Sequence, residues 1–155
     1  MKVRIAAVGR LRPGAEADLI SDYATRFDRT GRALGLGPLE FREVEAKKGG
    51  MKAEAALLEK AASGASPLIA LDERGSVMTS PSLAKRLATW RDDGRAEACF
   101  IIGGADGIAP ELRDQADFAL SFGKMVWPHM LARVMLIEQL YRAASILAGS
   151  PYHKV

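Results

Sequence analysis

The stretch that decides the fold runs from Leu120 to Leu147 and reads LSFGKMVWPHMLARVMLIEQLYRAASIL. It opens as a loop at Gly123, and Pro128 suits the first residue of a helix, where a missing N–H costs nothing. The helical pattern then continues to Gly149 and is apolar on nearly every side. Such a helix needs cover all round, which one small domain can hardly give. We therefore expect it to lie on the chain's own sheet on one side and on a second subunit on the other.

Three charged residues interrupt this helix and limit what it can be. Glu138 and Arg142 are four apart, so they share a face and can form an ion pair, whereas Arg133 points the opposite way. Charges at these positions argue against a helix that crosses a membrane.

The composition is that of a single globular domain, residues 1–155. Of these residues 48% are hydrophobic and 26% are charged, and the net charge of +3 permits a polyanionic partner without requiring one. The only cysteine, Cys99, lies in an apolar run and is expected in the core, so no internal disulfide and no Cys-based metal site can form. The N-terminal apolar run is too short for a signal peptide, and a reducing, cytoplasmic location fits.

Strand and helix patterns alternate along the whole chain. Strands are predicted at 2–9, 39–45, 67–71, 98–102 and 117–120. Helices are predicted at 15–29, 51–62, 81–92, from 109 and after 128, with a loop at 30–38 and a turn at 72–75. Thr79 or Ser80 is expected to cap the third helix. This alternation predicts an α/β domain with a mainly parallel sheet flanked by helices.

Three strand ends are the candidate binding site, because ligands of open α/β sheets bind outside the carboxyl ends of the strands. They are the end at Leu71 and Asp72, the glycine-rich turn from Gly103 to Gly107, and the loop from Ser121 to Trp127. Glycines would let a ligand approach the backbone closely, although such a turn could also be only a tight loop. No dinucleotide-binding fingerprint and no P-loop is present. The two histidines are too few and too far apart to suggest a zinc site.

The C-terminal residues Tyr152, His153 and Lys154 are the second candidate. An aromatic ring, an imidazole and a cation could stack on a base, handle a proton and hold a phosphate. The alternative interpretation is a frayed polar end with no function.

Several motifs together resemble one family. They are LDERG at 71–75, FIIGGADG at 100–107, KM at 124–125, PH at 128–129, LARV at 131–134, EQLYRA at 138–143 and PYHK at 151–154. In length and motif order the whole chain resembles the RlmH family, bacterial ribosomal RNA methyltransferases of the SPOUT class. The resemblance is strongest from Leu68 onward and only generic before residue 65.

The resemblance implies a fold, a cofactor and a reaction. It implies a SPOUT-type domain whose C-terminal part, about residues 68–155, is threaded as a trefoil knot, a rare topology. It implies a homodimer that uses S-adenosylmethionine to methylate N3 of a pseudouridine in helix 69 of large-subunit ribosomal RNA, on the assembled ribosome. Neither DNA nor a membrane is among the implied partners.

The resemblance also implies which residues act. Cofactor contacts are expected from Leu71, Gly103, Gly104, Phe122, Gly123, Lys124, Met125, Val126 and Trp127. Catalytic or RNA-facing residues are expected at His129, Arg133, Glu138, Arg142, Tyr152 and His153. Three positions depart from the family pattern. Ser150 stands where histidine is common, Trp127 where a smaller apolar residue is usual, and Val126 where threonine is frequent.

Roles within this set are hypotheses. The proton on pseudouridine N3 must leave, and His153 is the first candidate acceptor, before Asp106 and the C-terminal carboxylate, because imidazoles exchange protons near neutral pH. Arg133 and Arg142 could hold RNA phosphates, or Arg142 could simply pair with Glu138. For His129 the preferred interpretation is a helix-start residue bonded to the backbone. The tail and the cofactor loop are expected to come from different subunits.

Two other functions stay open. One is a SPOUT methyltransferase with a different RNA target, and the other is a ribosome-binding dimer without enzymatic activity. The intact glycine-rich turn and tail favour the enzyme over the second.

Overall fold

One parallel sheet organises the chain in a computed structural model that describes residues 1–154. Its strands are β1 (Lys2–Val8), β2 (Leu39–Val44), β3 (Leu68–Val77), β4 (Glu97–Ile102) and β5 (Phe118–Ser121). Their order in the sheet is β2-β1-β4-β3-β5, and every pair is parallel. The predicted α/β class is therefore confirmed.

Five helices connect and cover these strands. They are α1 (Ala15–Arg32), α2 (Met51–Ala62), α3 (Ser80–Asp92), α4 (Pro110–Gln115) and α5 (His129–Leu147). Alternate residues of β1 divide the core into two layers, as the two-residue period of a strand requires. Val3 and Ile5 face α1, α3 and α5, whereas Ala6 and Val8 face α2 and α4. Cys99 is buried in the second layer, as predicted.

Three predicted element boundaries are wrong, and one predicted cap is confirmed. Residues 72–75, predicted as a turn, continue β3, which shifts its pairing with β5 between Leu71 and Ser76. Helix α1 continues through Gly31 to Arg32, where the backbone of Leu36 packs closely on Gly31. Pro128 caps α5 instead of beginning it. For α3, the predicted cap at Thr79 is confirmed, since its Oγ1 accepts the Ser82 N–H at 3.2 Å.

The chain itself covers more of α5 than its apolar pattern predicts. The helix lies on the sheet between α1 and α3, and eight of its residues are buried. Leu131 is the only large apolar residue of this helix that is exposed. The face left open carries Met135 with the polar pair Glu138 and Arg142.

Parallel pairing brings all five strand exits to one edge of the sheet. The three strands whose ends were singled out, β4, β3 and β5, are neighbours there. The opposite edge carries the turns at 63–67 and 93–96, which contain none of the candidate site residues. The fold thus gathers the three candidate strand ends on one side of the molecule.

Candidate functional site

A cleft of about 300 Å³ opens at the exits of β3, β4 and β5. The three strand ends that the sequence singles out line it together, which is the arrangement expected of an open α/β sheet. Of the nine residues expected to contact a cofactor, eight line the cleft: Leu71, Gly103, Gly104, Phe122, Gly123, Met125, Val126 and Trp127. Lys124 is exposed and does not line it.

The glycine-rich turn forms one wall because its backbone folds tightly on itself. Gly107 donates its N–H to the Gly104 carbonyl at 3.0 Å. A Cβ on Gly103 would stand 2.5 Å from the carbonyl carbon and oxygen of Gly107. No side chain fits at that distance, so the turn needs glycine at 103 to keep its shape.

The loop after β5 forms the facing wall. Buried Ser121 accepts the Gly123 N–H at 3.0 Å, and its hydroxyl lies 3.1 Å from the Glu73 carbonyl, within donating distance. These contacts join the loop to the extended part of β3. Beyond them the side chains point outward: Met125 is 74% exposed and Val126 is 81% exposed. They form the mouth of the cleft, with Trp127 beside them.

The cleft lining is mainly acidic in charge. Asp72, Glu73 and Asp106 contribute three carboxylates, against one arginine, Arg74. Asp72 is held in place by the Arg74 backbone N–H at 2.8 Å and by the Arg113 guanidinium at 3.5 Å. An acidic cleft attracts a cationic ligand.

His129 begins α5 and lines the cleft. The imidazole of His129 has no hydrogen-bond partner within residues 1–154, so it is not bonded to the backbone. Its Nε2 packs instead toward Gly9 at the exit of β1. The ring is therefore available to a ligand.

The tail folds back on α5 and forms a second cluster. Glu138 Oε1 accepts from Arg142 at 2.7 and 3.0 Å and from the Tyr152 hydroxyl at 2.9 Å. Arg142 Nη1 lies 3.3 Å from His153 Nδ1. Because a guanidinium only donates, Nδ1 accepts, and a neutral ring then carries its proton on Nε2. The predicted Glu138–Arg142 pair is confirmed, and Tyr152 and His153 are not frayed.

Aromatic contacts fix the tail further. The rings of Tyr141 and Tyr152 are 4.6 Å apart, and the Arg142 guanidinium lies 4.7 Å from the centre of the Tyr152 ring. Burial, followed by the neighbouring Tyr23 and Glu138, raises the pKa of the Tyr152 hydroxyl. The Glu138 carboxylate raises the pKa of Arg142. At neutral pH the cluster therefore holds a neutral phenol and a charged guanidinium.

Arg133 does not lie where the sequence-based hypothesis put it. Its side chain is only 1% exposed, and it donates to Glu43 Oε2 at 2.7 Å and to the carbonyls of Val8 and Gly9. A guanidinium with these partners is not free to hold an RNA phosphate. Its role is to join α5 to the exits of β1 and β2.

Within one chain the tail cluster lies outside the cleft, although Glu138 lines a neighbouring groove that shares Phe122 and Gly123 with the cleft. None of Glu138, Arg142, Tyr152 and His153 lines the cleft. Among the residues predicted to be catalytic, only His129 does.

Several cleft residues escaped the sequence-based prediction. Glu73 and Arg74 were expected only in a turn, whereas Asp72 was also singled out with Leu71 as a strand end, and the extension of β3 into the cleft shows only in the pairing with β5. Met51 enters from α2, and no local pattern indicates that this helix begins beside the glycine-rich turn. In the tail cluster, Tyr23 and Tyr141 were not singled out, since each follows the apolar pattern of its helix.

Two kinds of feature are absent from residues 1–154. No group of three or more His, Cys, Asp or Glu side chains is arranged to hold a metal ion. No helix in that range is both long enough and apolar enough to cross a membrane.

Comparison with known proteins gives a consistent answer. Residues 1–153 match the model of a family described as "Predicted SPOUT methyltransferase". A protein of Ruegeria pomeroyi is 66% identical over 156 residues, covering 100% of both chains, and one of Roseobacter denitrificans is 65% identical over 155 residues, covering 99% of both. Both relatives are named "Ribosomal RNA large subunit methyltransferase H".

Solved structures agree on the fold. A probable methylase family protein from Haemophilus influenzae matches 99% of this chain and 70% of its own, with a TM-score of 0.60 at 12% identity. A probable methyltransferase from Bordetella pertussis matches 92% of this chain and 96% of its own, with a TM-score of 0.53 at 13% identity. The parallel sheet, the cleft at its strand exits and the full-length family match lead to one assignment: the chain belongs to the SPOUT methyltransferase family.

Proposed function

We propose that this protein is an S-adenosylmethionine-dependent methyltransferase that methylates N3 of a pseudouridine in helix 69 of large-subunit ribosomal RNA, on the assembled ribosome. The observation that carries the proposal is the cleft formed by the three strand ends of a SPOUT family chain. The names of relatives that are 65–66% identical over the full length support ribosomal RNA as the substrate. The motif resemblance supports the helix 69 pseudouridine.

The cleft suits S-adenosylmethionine in size, shape and charge. About 300 Å³ is at the lower end of the volumes of small-molecule sites. Leu71, Met125 and Trp127 offer apolar surface to the adenosine, and the backbone of the glycine-rich turn can be approached without a side chain in the way. The carboxylates of Asp72 and Asp106 complement the positive charges of the ligand.

The protein's main contribution to the reaction is orientation. When bound, the cofactor supplies a methyl group on a sulfonium, which is already activated for in-line displacement. Holding the nucleophile in line can lower the barrier by about 7–11 kcal/mol. The glycine-rich turn and the loop after β5 fix one reactant, and the mouth at Trp127 and His129 admits the base.

The proton on N3 must move to a group near the reacting base. We propose His153 as the acceptor. Arg142 has to release Nδ1 before that nitrogen can take a proton, because the two are within hydrogen-bond distance in the free chain. Asp106, which is exposed and lines the cleft, is the second candidate. The C-terminal carboxylate belongs to Val155, which lies outside the described residues.

We infer a homodimer in which the tail of one subunit meets the cleft of the other. Separation of the tail cluster from the cleft within one chain supports this arrangement. A second, apolar groove of about 480 Å³ between α1, α3 and α5 supports a partner at that face. Its lining includes Leu19, Met135 and Val77, of which Val77 is 71% exposed. Burying such side chains against a second copy would stabilise the pair.

We also propose that residues 68–155 form the trefoil knot and that the protein works in the cytoplasm. Support for the knot comes from the motif resemblance and from the match to the SPOUT methyltransferase family over residues 1–153. Support for the location comes from the ribosomal substrate and from the free, buried Cys99.

The test is transfer of labelled methyl from S-adenosylmethionine to ribosomes that lack the helix 69 modification, with free ribosomal RNA and separated large subunits in parallel. Label on intact ribosomes alone, mapping to the pseudouridine, is the expected result. Label elsewhere would mean another RNA target. Neither label nor cofactor binding by calorimetry would favour a ribosome-binding dimer without activity.

A mixing experiment tests the shared site. A subunit that lacks residues 151–155 is combined with a subunit that carries a defective cofactor loop, and each is inactive alone. The expected result is partial recovery of activity in the heterodimer. No recovery, with heterodimers present by native mass spectrometry, would contradict the arrangement.

A further inference from the structure

Four exposed cations stand at the exits of the two strands beside the cleft. Arg10 and Arg12 follow β1, and Lys47 and Lys48 follow β2. Both strands are parallel to β4, so their exits lie at the same edge of the sheet as the cleft. These four residues, called the exit-loop cations below, have no role in the cleft or in the tail cluster.

The loop after β1 is built to turn its arginines outward. Leu11 packs against the core, and its N–H donates to Glu43 Oε2 at 2.6 Å. Gly9 donates to the Val44 carbonyl at 2.9 Å. Because Leu11 is anchored inward, the residues on either side of it, Arg10 and Arg12, are left on the surface.

The carboxylate that anchors this loop also receives Arg133 from α5. One group thus ties the loop to the helix that begins with His129 at the cleft. A ligand that contacts Arg10 or Arg12 is therefore held in a fixed relation to the cleft.

The loop after β2 leads directly to the cleft. Lys47 and Lys48 precede two glycines, and the next residue, Met51, lines the cleft. Only Gly49 and Gly50 separate Lys48 from Met51, so the lysines are close in sequence to the wall of the cleft. Within residues 1–154 neither lysine and neither arginine of the exit loops has an ion-pair partner within 4.0 Å, so their charges are free to act on a ligand.

The charges on this edge are sorted by position. Inside the cleft, Glu73 and Asp106 outnumber Arg74, and Asp72 is paired with Arg113. Beside the cleft stand the exit-loop cations, with the exposed Glu43 and Glu45 at the end of β2. A ligand that spans both zones must present positive charge to the cleft and negative charge to the exit loops. The proposed cofactor fits the first requirement, and a nucleic acid backbone fits the second.

We propose that the exit-loop cations bind backbone phosphates of the RNA that flanks the methylated nucleotide, and so align that nucleotide with the cleft. The proposal rests on the proposed function, whose RNA substrate it deepens. It concerns phosphate contacts, which fix register and orientation without reading sequence. A protein partner on the ribosome would be a different proposal and is an outcome of the test.

The test compares two double variants with the same change in net charge. In the first, K47E and K48E reverse two exit-loop cations. In the second, K2E and K60E reverse two exposed lysines on the opposite side of the sheet, at the start of β1 and the end of α2. Affinity for ribosomes lacking the modification is measured by filter binding between 50 and 200 mM salt, alongside methyl transfer and calorimetric cofactor binding.

The first variant is expected to bind ribosomes about tenfold more weakly at 100 mM salt. The slope of log affinity against log salt should fall by about 1.5, because each lost phosphate contact reduces that slope by about 0.7–0.9. The cofactor Kd should equal that of the wild type in both variants. Variants of the arginine pair, R10E and R12E, should repeat the effect.

Other outcomes overturn the proposal in distinguishable ways. Equal behaviour of the two double variants would show that only total charge matters. Weaker binding with an unchanged salt slope would indicate a protein contact. If the wild type transfers no methyl to any ribosomal substrate, the proposed function fails, but the salt slopes still decide whether the exit loops contact RNA.

Discussion

Arg133 Nη1 donates to Glu43 Oε2 at 2.7 Å and thereby joins two residues that are 90 positions apart in the chain. The arginine is buried, and its other acceptors are two backbone carbonyls. The pair fixes α5 against β1 and β2, and it also anchors Leu11. A change at Glu43 therefore loosens both the loop after β1 and the start of α5, which lie on the same side of the molecule as the cleft.

The first prediction follows from this pair. Replacing Glu43 with alanine leaves the buried guanidinium of Arg133 without its counter-charge. The free energy of unfolding is expected to fall by about 3 kcal/mol, which is the lower end of the range for breaking a buried ion pair, because Glu43 is partly exposed. Urea unfolding followed by circular dichroism measures it. E40A, which removes the partner of the more exposed Arg42, should change stability far less. Equal losses would show that Glu43 is an ordinary surface residue.

The second prediction concerns the glycine-rich turn. In G103A the new Cβ would collide with the backbone of Gly107, so the turn must move away from its position in the cleft. S-adenosylmethionine should bind at least tenfold more weakly by calorimetry, a loss of about 1.4 kcal/mol or more. G49A is the matched control, because nothing lies within 4 Å of its added Cβ. A wild-type Kd for G103A would remove the turn from the cofactor site.

The third prediction uses the two tryptophans. Trp127 stands at the cleft mouth, whereas Trp90 packs against the core on α3. In W90F the remaining indole is Trp127, and its emission should change as S-adenosylmethionine is added, because the ligand alters the environment of the ring. In W127F the emission should stay constant. The reverse pattern would mean that the ligand binds away from the mouth.

The fourth prediction tests the tail cluster. Y152F removes a donor to the Glu138 carboxylate and leaves the ring in place. Hydrogen bonds to charged groups contribute about 1.5–3 kcal/mol, so methyl transfer is expected to slow by about tenfold or more if the tail must be held for the reaction. Methyl transfer is measured at saturating S-adenosylmethionine, so that a change in cofactor affinity where the tail meets the partner's cleft does not enter the rate. Y141F, whose hydroxyl does not bond to Glu138, is the control, and an equal loss there would contradict a specific role for the bond.

The fifth prediction concerns pH. Burial raises the pKa of the Cys99 thiol from 9.0 to about 11. Between these values the unfolded chain loses the thiol proton while the folded chain keeps it, so the folded state binds more protons and stability falls as pH rises. A full proton difference would give a slope of about 1.4 kcal/mol per pH unit. Because half of the unfolded thiols are already ionised at pH 9, the gap in unfolding free energy between wild type and C99A should change by about 1 kcal/mol from pH 9 to 10. A constant gap would show that the thiol ionises equally in both states.

The cleft could be predicted from sequence to the extent that it consists of strand ends. Leu71, Gly103 and Phe122 each follow an apolar run, and parallel pairing alone brings such ends together. The Glu138–Arg142 pair could be predicted because helical spacing fixes it. These are local rules applied to a correctly recognised fold class.

What could not be predicted depends on contacts between distant parts of the chain. Nothing near Arg133 indicates that its partner is Glu43, and the arginine was therefore assigned to RNA. Residues 72–75 carry the composition of a turn, but pairing with β5 keeps them extended. Helix α5 was expected to need a partner on its whole outer side, whereas α1 and α3 cover most of it.

The edge of the sheet opposite the cleft has a practical consequence. The turn at Ser63 and Gly64 lies there and is exposed, and Ser63 is the position to modify because the φ of +82° at Gly64 favours glycine. A reporter domain or a surface tether attached at Ser63 would point away from the cleft. The protein can thus be immobilised or labelled through this turn, while both termini stay unmodified.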